Sequence, residues 1–433
     1  MSKIILKGGR VVDPSNNFEK NRDVLVENGK IKEIGLDIVS EDAEVIDVTG
    51  KIVAPGLVDA HCHLRDPGFT HKEDFITGSR GAAVGGFTTL LVMPNTDPVC
   101  DSPLVIEYIL AKAKKPGVLV NIFPFCAISK GSKGETLAPM YSAVEAGAIG
   151  FSDDGLGVMS ADLMRRALQY SQVVNKVVAC HEEYKDITGD GVMFDGPVAN
   201  RLGLIGIPYT SEALMVARDL LLAEEVGGKL HICHVSVKKS VELIRIAKER
   251  GIDVTAEVVF HFLNTTENDL LEHPYDTRFK IKPPFASQGD QAALKMGLID
   301  GTIDIICTDH APHSREEKMQ EFDGAAPFGV LGLETALSVV LTELYHGKIL
   351  SLSEIIGKMT LNPAKRYDLD KGTLNKGKDA DIVVIDLDQE WVPDVNKYQS
   401  KGRSCPQHGR KLKGKAVLTM VNGKIVMRDG RIV

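Results

Sequence analysis

Apolar residues come in short runs broken by glycine-bearing turns at both ends of the chain, and the period of the pattern changes in between. Near the start, Ile4-Ile5-Leu6, Val11-Val12, Asp23-Val24-Leu25-Val26 and Ile31-Lys32-Glu33-Ile34 are punctuated by Gly8-Gly9 and Asn28-Gly29, a pattern of short strands and tight turns. The tail repeats it. Ala380 to Ile385 is an apolar strand, and Val417 to Val421 with Gly423 to Val426 predicts a hairpin across Asn422-Gly423, because that dipeptide accepts the positive φ such turns need. In the middle, apolar strands alternate with helical stretches. Strands are expected at 87–92, 149–152, 177–179, 230–234, 254–259 and 303–308, and helices at 102–115, 161–175, 211–226 and 238–250. The run Val53 to Leu57 reads as a buried strand, or the approach to one, leading into Val58-Asp59-Ala60-His61.

Strict strand–helix alternation with short loops argues for a parallel sheet, and this many units favours a closed (β/α)8 barrel. The expected fold is therefore α/β. Residues 53–365 form the TIM-like barrel, and residues 1–52 and 366–433 form one small β-sandwich domain built from both termini.

Length and composition narrow the class. A chain of 433 residues accommodates a large barrel and an appended domain. The net charge of -8 offers no basic footprint for nucleic acid. No long uncharged apolar run suggests a membrane helix, and no signal peptide is recognisable. Seven cysteines, scattered and without a CxxC pair, read as reduced thiols, which makes the cytoplasm the expected location.

The candidate chemistry sits at predicted strand ends, where barrels of this kind carry their active sites. His61 and His63 are one residue apart on an apolar strand, so their side chains share a face and suit a divalent metal. Arg65 follows two residues later. Asp153, within Phe151-Ser152-Asp153-Asp154-Gly155, is a candidate carboxylate ligand; its other reading is a turn or helix-capping aspartate. His234 ends the strand at Ile232, and Asp309 ends another, followed by His310 and His313. A carboxylate beside a metal can orient water, take its proton and return it to a leaving nitrogen. Together these residues describe a metal-dependent hydrolase.

The same residues resemble the amidohydrolase superfamily and, within it, the long-chain barrel type of the dihydroorotase family. The resemblance extends from about Lys7 to the C-terminus. It rests on His61-Cys62-His63-Leu64-Arg65-Asp66-Pro67-Gly68, Met93-Pro94-Asn95-Thr96, Phe151-Ser152-Asp153-Asp154-Gly155, His234-Val235-Ser236, Thr308-Asp309-His310-Ala311-Pro312-His313 and Asn362-Pro363-Ala364. It implies reversible cyclisation of N-carbamoyl-L-aspartate to L-dihydroorotate, with one or two zinc ions per chain. His61, His63 and Asp309 would hold one zinc. Asp153 would stand where many relatives carry a carboxylated lysine, bridging to a second site that includes His234. Asp309 would shuttle the proton, and Arg65, Asn95 and His313 would hold the substrate carboxylate. Main-chain groups near Phe328 and Gly329 would contact the ring.

The chain departs from the family on one side. The family's histidine before Cys-Glu-Asp or Ala-Glu-Asp is replaced by the order Cys180-His181-Glu182-Glu183. In the straightforward register Cys180 takes the ligand position. His181 reaches the metal if the backbone bulges, and loss of the second metal is the third alternative. The family's Asn-Pro-Pro-Leu-Arg becomes Lys282-Pro283-Pro284-Phe285-Ala286, where Lys282 would pair with a substrate carboxylate or block the pocket. Phe260-His261-Phe262 replaces a Pro-His-His type of motif, with His261 expected to pack at the barrel end. These departures leave three readings: a dihydroorotase, a related hydrolase of hydantoin or ureide rings, or a weakly active scaffold that partners aspartate transcarbamoylase. A homodimer is the default oligomeric expectation.

Overall fold

The computed structural model describes residues 3–433. Eight parallel strands line the barrel: β1 (Leu57–Cys62), β2 (Phe87–Val92), β3 (Asn121–Pro124), β4 (Gly150–Ser152), β5 (Val177–Cys180), β6 (Lys229–Ile232), β7 (Val254–Val259) and β8 (Ile305–Cys307). Ladders join β1 to β3 and β4 to β8 in order. Two short bridges close the ring. Cys126 pairs with Phe151 between β3 and β4, and Cys62 pairs with His310 between β8 and β1, where His63 N donates to His310 O at 2.8 Å.

The strands are apolar on both faces because both faces are covered. Val58, Ala60, Leu91, Met93, Phe125, Ile149, Val177, Ala179, Cys233 and Ile305 fill the interior, with Tyr367 among them. Their neighbours Leu57, Leu90, Val92, Phe151, Val178 and Ile232 pack outward. The surrounding helices present matching stripes. The helix Ala161–Val173, capped by Ser160 Oγ accepting from Leu163 N, buries Leu163, Met164, Ala167 and Leu168, the spacing of one helical face. Truncating a buried leucine of this kind to alanine costs about 2–5 kcal/mol.

The termini build one nine-stranded sheet. Its order is Arg431–Ile432, Lys424–Arg428, Leu412–Val421, Ile382–Trp391, Ile52–Pro55, Lys3–Asp13, Phe18–Glu27 and Lys30–Gly35, with Glu44–Asp47 paired to Lys3–Asp13. Side-chain alternation divides its strands between two cores. Ile382 and Val384 enclose the small domain's own core with Leu6, Val24 and Leu418, while Val383 and Ile385 join the barrel's outer core. Asn422-Gly423 is the expected hairpin turn, with φ of 50° and 75°, and the turn expected at Asn28-Gly29, with φ of 52° and 80°, closes a hairpin as well.

Several details differ from the expectations. Ile52–Pro55 pairs with Ile382–Ile385 and so belongs to the terminal sheet, which carries that sheet past residue 52. Val53 to Leu57 is thus two strands, divided at Gly56, where a Cβ would fall 2.7 Å or less from three atoms of Thr88. Strand β3 was not anticipated, since Asn121-Ile122-Phe123-Pro124 is short and ends on proline. Residues 393–411, expected in the terminal domain, return to the barrel mouth: Leu331 N donates to Ser404 O at 2.8 Å, and Ser400 Oγ donates to the buried Glu73 carboxylate. All seven cysteines are free and buried, and no helix among the described residues is long and apolar enough to cross a membrane.

Candidate metal centre

The carboxyl ends of the barrel strands converge on four imidazoles and two carboxylates. On β1 the ladder slips between Asp59 and Cys62, so His61 and His63 turn inward while Cys62 packs outward. His61 Nδ1 donates to Glu257 Oε1 of β7 at 2.7 Å, which leaves Nε2 buried and without a hydrogen-bond partner. That nitrogen lies 3.3 Å from Asp154 Oδ1 and 3.6 Å from Asp309 Oδ1. His63 repeats the arrangement. Its Nδ1 donates to Asn95 Oδ1 at 2.8 Å, and its Nε2 faces Asp309 Oδ1 at 3.1 Å and Asp154 Oδ2 at 3.4 Å. Fixing the rear nitrogen of a ligating histidine selects its tautomer and aims the other nitrogen.

Asp154 is the carboxylate at the centre. Besides the two β1 histidines, it faces His234 Nε2 at 3.3 Å and His181 Nδ1 at 3.5 Å. Burial pushes its pKa up, but the charge of His61 and hydrogen bonds from His181, His234 and His61 hold it well below the ordinary carboxylate range. The expectation placed Asp153 here, and the structure corrects it by one residue. Asp153 accepts from Ile128 N at 2.8 Å, Ser129 N at 3.1 Å and the Ser129 hydroxyl, where it fixes the loop after β3. The chain leaves β4 at Ser152, after which Asp153 is taken up by the loop after β3 and Asp154 enters the centre.

Strand parity decides between Cys180 and His181. Val177 and Ala179 face the interior, so His181 continues the inward phase and no bulge is required. Its Nδ1 lies 2.9 Å from His234 Nε2, and its Nε2 donates to Glu183 Oε2 at 3.2 Å. Cys180 faces outward with Glu182 and Asp219; its assignment as a ligand at the centre is corrected. His234 returns to the centre through a left-handed backbone, φ 34°.

Asp309 and Arg65 likewise have positive φ, 43° and 60°. Non-glycine residues held in that region at a cost of about 1–3 kcal/mol each concentrate at functional sites. Asp309 is fixed by its neighbour: Thr308 N and Oγ1 donate to Asp59 at 3.0 and 2.5 Å, tying β8 to β1. Burial raises the Asp309 pKa, but the His63 hydrogen bond and the nearby histidines lower it further, leaving a carboxylate.

A cavity of about 360 Å³ opens above these groups, lined by Arg65, Asn95, His313, Lys282, Phe328 and Gly329. Arg65 Nε donates to Pro312 O at 3.2 Å. His313 Nε2 donates to Phe328 O at 2.9 Å; burial, then Arg65, Lys72 and Lys318, push its pKa down to about 2, so it is neutral. Gly329 has φ 125°, and a Cβ there would stand 2.6 Å from Ala311 O. Lys282 Nζ pairs with Glu183 Oε1 at 2.6 Å. His261, as expected, packs at the barrel end, donating to Leu331 O at 3.0 Å.

Three groups escaped the sequence reading: Asp154, Glu257 and Glu183. Glu257 was detectable, being a lone carboxylate in the apolar run of β7. It is fully buried, and besides His61 it faces His231 Nε2 at 3.2 Å. Burial works against its charge, yet His61 and His231 hold it ionised.

The donors form two overlapping groups that share His61: His61-His63-Asp309 and His61-Asp154-His234, with ligand atoms within 4.8 Å of one another. The orphaned His61 Nε2 and the imidazole–carboxylate donor set fit a divalent metal. A barrel with this centre at its carboxyl-terminal mouth is a metal-dependent amidohydrolase. A family model described as Dihydro-orotase-like matches residues 50–240, and one described as Amidohydrolase family matches residues 337–427. The dihydroorotase of Pelotomaculum thermopropionicum is 51% identical over 99% of both chains, and that of Acetivibrio thermocellus is 48% identical over 98% of this chain and 99% of its own. The chain belongs to the dihydroorotase family. Among solved structures, the L-hydantoinase (dihydropyrimidinase) of Arthrobacter aurescens superposes with a TM-score of 0.89 at 28% identity, covering 100% of this chain and 98% of its own. The dihydropyrimidinase of Brevibacillus agri, at 23% identity and a TM-score of 0.86 over 100% and 96% of the two chains, shares the fold.

Proposed function

We propose that this chain hydrolyses L-dihydroorotate reversibly to N-carbamoyl-L-aspartate, with one or two zinc ions held by His61, His63, Asp154, His181, His234 and Asp309. The observation that carries this reading is that Arg65, Asn95 and His313 line the same cavity as Asp309. A ring amide presented to Asp309 leaves the ring's carboxylate within reach of the Arg65 guanidinium and the Asn95 amide, with neutral His313 beside them. Bound zinc supplies a Lewis acid that polarises the ring carbonyl and makes water acidic enough to be activated near neutral pH.

The chain's own residues do the rest. Asp309, ionised and partly open to the cavity, takes a proton from the attacking water and delivers it to the departing ring nitrogen. Arg65 binds the carboxylate by a forked contact that lysine does not reproduce. Asn95 serves twice, orienting His63 through Oδ1 and offering its amide NH2 to the substrate. Neutral His313 has its Nε2 proton committed to Phe328 O, so it shapes the pocket without adding charge. Gly329 lets the main chain pass beside the cavity at a φ of 125°, where a Cβ would collide with Ala311.

Hydantoin or ureide hydrolysis is the second reading, favoured by Lys282 in place of the family's asparagine. The deciding experiment is turnover of dihydroorotate and of carbamoyl aspartate on zinc-replete enzyme, with hydantoin and its 5-substituted derivatives as rivals. A kcat/KM at least tenfold higher for dihydroorotate supports the first reading; the opposite order replaces it.

A further inference from the structure

Each β1 imidazole has its rear nitrogen fixed by a residue from another strand end. Glu257 holds His61 at 2.7 Å and Asn95 holds His63 at 2.8 Å. His181 presents Nδ1 to the centre, so Nε2 is its rear nitrogen, and its partner is Glu183, two residues along the same segment, at 3.2 Å. The Glu183 side chain is only 9% exposed. A buried carboxylate with a single neutral donor is costly, and a cation that satisfies its second oxygen removes most of that cost. Lys282 supplies that cation at 2.6 Å, with its ammonium 4.8 Å from the Phe328 ring centroid.

We propose that Glu183 and Lys282 are a positioning pair for the metal ligand His181, and that Lys282 acts on the metal site through Glu183 instead of binding the substrate carboxylate directly. This rests on the reading of His181 as a ligand. Three observations support it. The ammonium is already engaged, so a direct clamp would have to break a 2.6 Å ion pair in a half-buried wall. The cavity already offers the Arg65 guanidinium to a substrate carboxylate. Glu183 lies in the same segment as His181, and Lys282 anchors that brace from a different loop.

The test is zinc binding without substrate, by competition against a chromophoric chelator and by the visible spectrum of the cobalt-substituted protein, on the full chain. Lys282→Met and Glu183→Gln should each weaken the more weakly held metal about 10- to 100-fold, the range for outer partners of ligating histidines. The tighter metal should be unaffected, the cobalt spectrum should change, and Lys282→Arg should restore parental affinity. Steady-state KM for dihydroorotate, at saturating zinc, should change less than about threefold, well below the loss of a charge-assisted contact. If Lys282→Met raises KM tenfold or more and leaves both metal affinities unchanged, the pair does not position His181 and Lys282 is a substrate contact. Glu183→Gln, nearly isosteric, covers failure of Lys282→Met to fold: unchanged affinity in that variant also overturns the proposal. Because metal binding is read without turnover, failure of the dihydroorotase reading leaves the result interpretable. If His181→Ala leaves both affinities intact, the ligand assignment fails instead.

Discussion

The two sides of the metal centre meet the same requirement by different means. On one side, His61 and His63 sit on β1, their rear nitrogens fixed by Glu257 and Asn95, and Asp309 is locked against β1 through Thr308 and Asp59. Every brace comes from a different strand end, so the barrel itself sets the geometry. On the other side, His181 and His234 come from β5 and β6, and the brace on His181 is a neighbour in sequence steadied by a loop lysine. The first arrangement is rigid because the barrel is closed. The second depends on an ion pair whose lysine is a quarter exposed, so its strength varies with what fills the cavity and with salt. A metal centre can thus tolerate sequence change on one flank while the other carries the chemistry.

The largest expected effect tests the rigid side. Asp309→Asn keeps the shape and removes the base, so kcat should fall about 10²–10⁴-fold, the contribution of a positioned acid–base group. Circular dichroism and thermal midpoint should stay near the parent. Substantial residual turnover would take Asp309 out of proton transfer and leave the β1 side as metal scaffolding alone.

Next, neighbouring aspartates separate metal binding from support. Asp154→Ala should lower metal affinity by more than about 100-fold, exceeding the usual loss from an outer partner. Asp153→Ala should leave metal content intact and lower the unfolding free energy by about 1–3 kcal/mol, because Ile128 N and Ser129 N lose their buried acceptor. Zinc analysis and chemical denaturation on the same preparations read both. A reversal would restore Asp153 as the bridging ligand.

Glu257→Gln then tests the comparison directly, since it removes a barrel brace as Glu183→Gln removes a local one. We expect a 10- to 100-fold weaker grip on the His61 metal by chelator competition, with little salt dependence because Glu257 is fully buried. The Glu183 variant should differ by a sensitivity that falls at high salt. Equal salt responses would mean that the two flanks are not built on different principles. Arg65→Lys comes lower: charge is kept and one arm of the fork is lost, so KM should rise roughly tenfold, about 1.4 kcal/mol, with kcat nearly constant. An unchanged KM would point to another cation for the substrate carboxylate.

How much of this was visible in the chain depends on which physical signal each residue gave. Apolar runs and helical stretches located most barrel elements, and Asn422-Gly423 placed its hairpin, because those signals are local. Strand β3 was missed since four residues ending on proline carry little periodicity. His61, His63, His234, Asp309 and Arg65 stood out as polar residues at or just beyond the ends of apolar strands, whereas Asn95 came only from the family resemblance. Cys180 and His181 are separated by strand phase, since Val178 is a buried outward neighbour and His181 falls inward; Asp153 and Asp154 are not, because Ile149 and Phe151 keep no single phase and both aspartates lie past the strand's end. Glu183 with Lys282 was not legible, because no sequence rule brings residues from those two loops together; only closure of the barrel does.

The smallest effect belongs to Cys180→Ala, which tests that parity argument at its plainest. Cys180 points away from the metal centre into a buried cluster with Glu182 and Asp219, and its burial pushes the thiol pKa far up. A protonated thiol in that setting behaves as a small apolar side chain. Removing its sulfur should cost about 1 kcal/mol, a shift of roughly 2 °C or less for a chain this long. Zinc per chain and kcat should match the parent within a factor of about two, since His181 keeps both its contacts and no inward donor is lost. Loss of one zinc equivalent would return Cys180 to the centre, and the inward phase read from Val177 and Ala179 would then have to break before the strand ends.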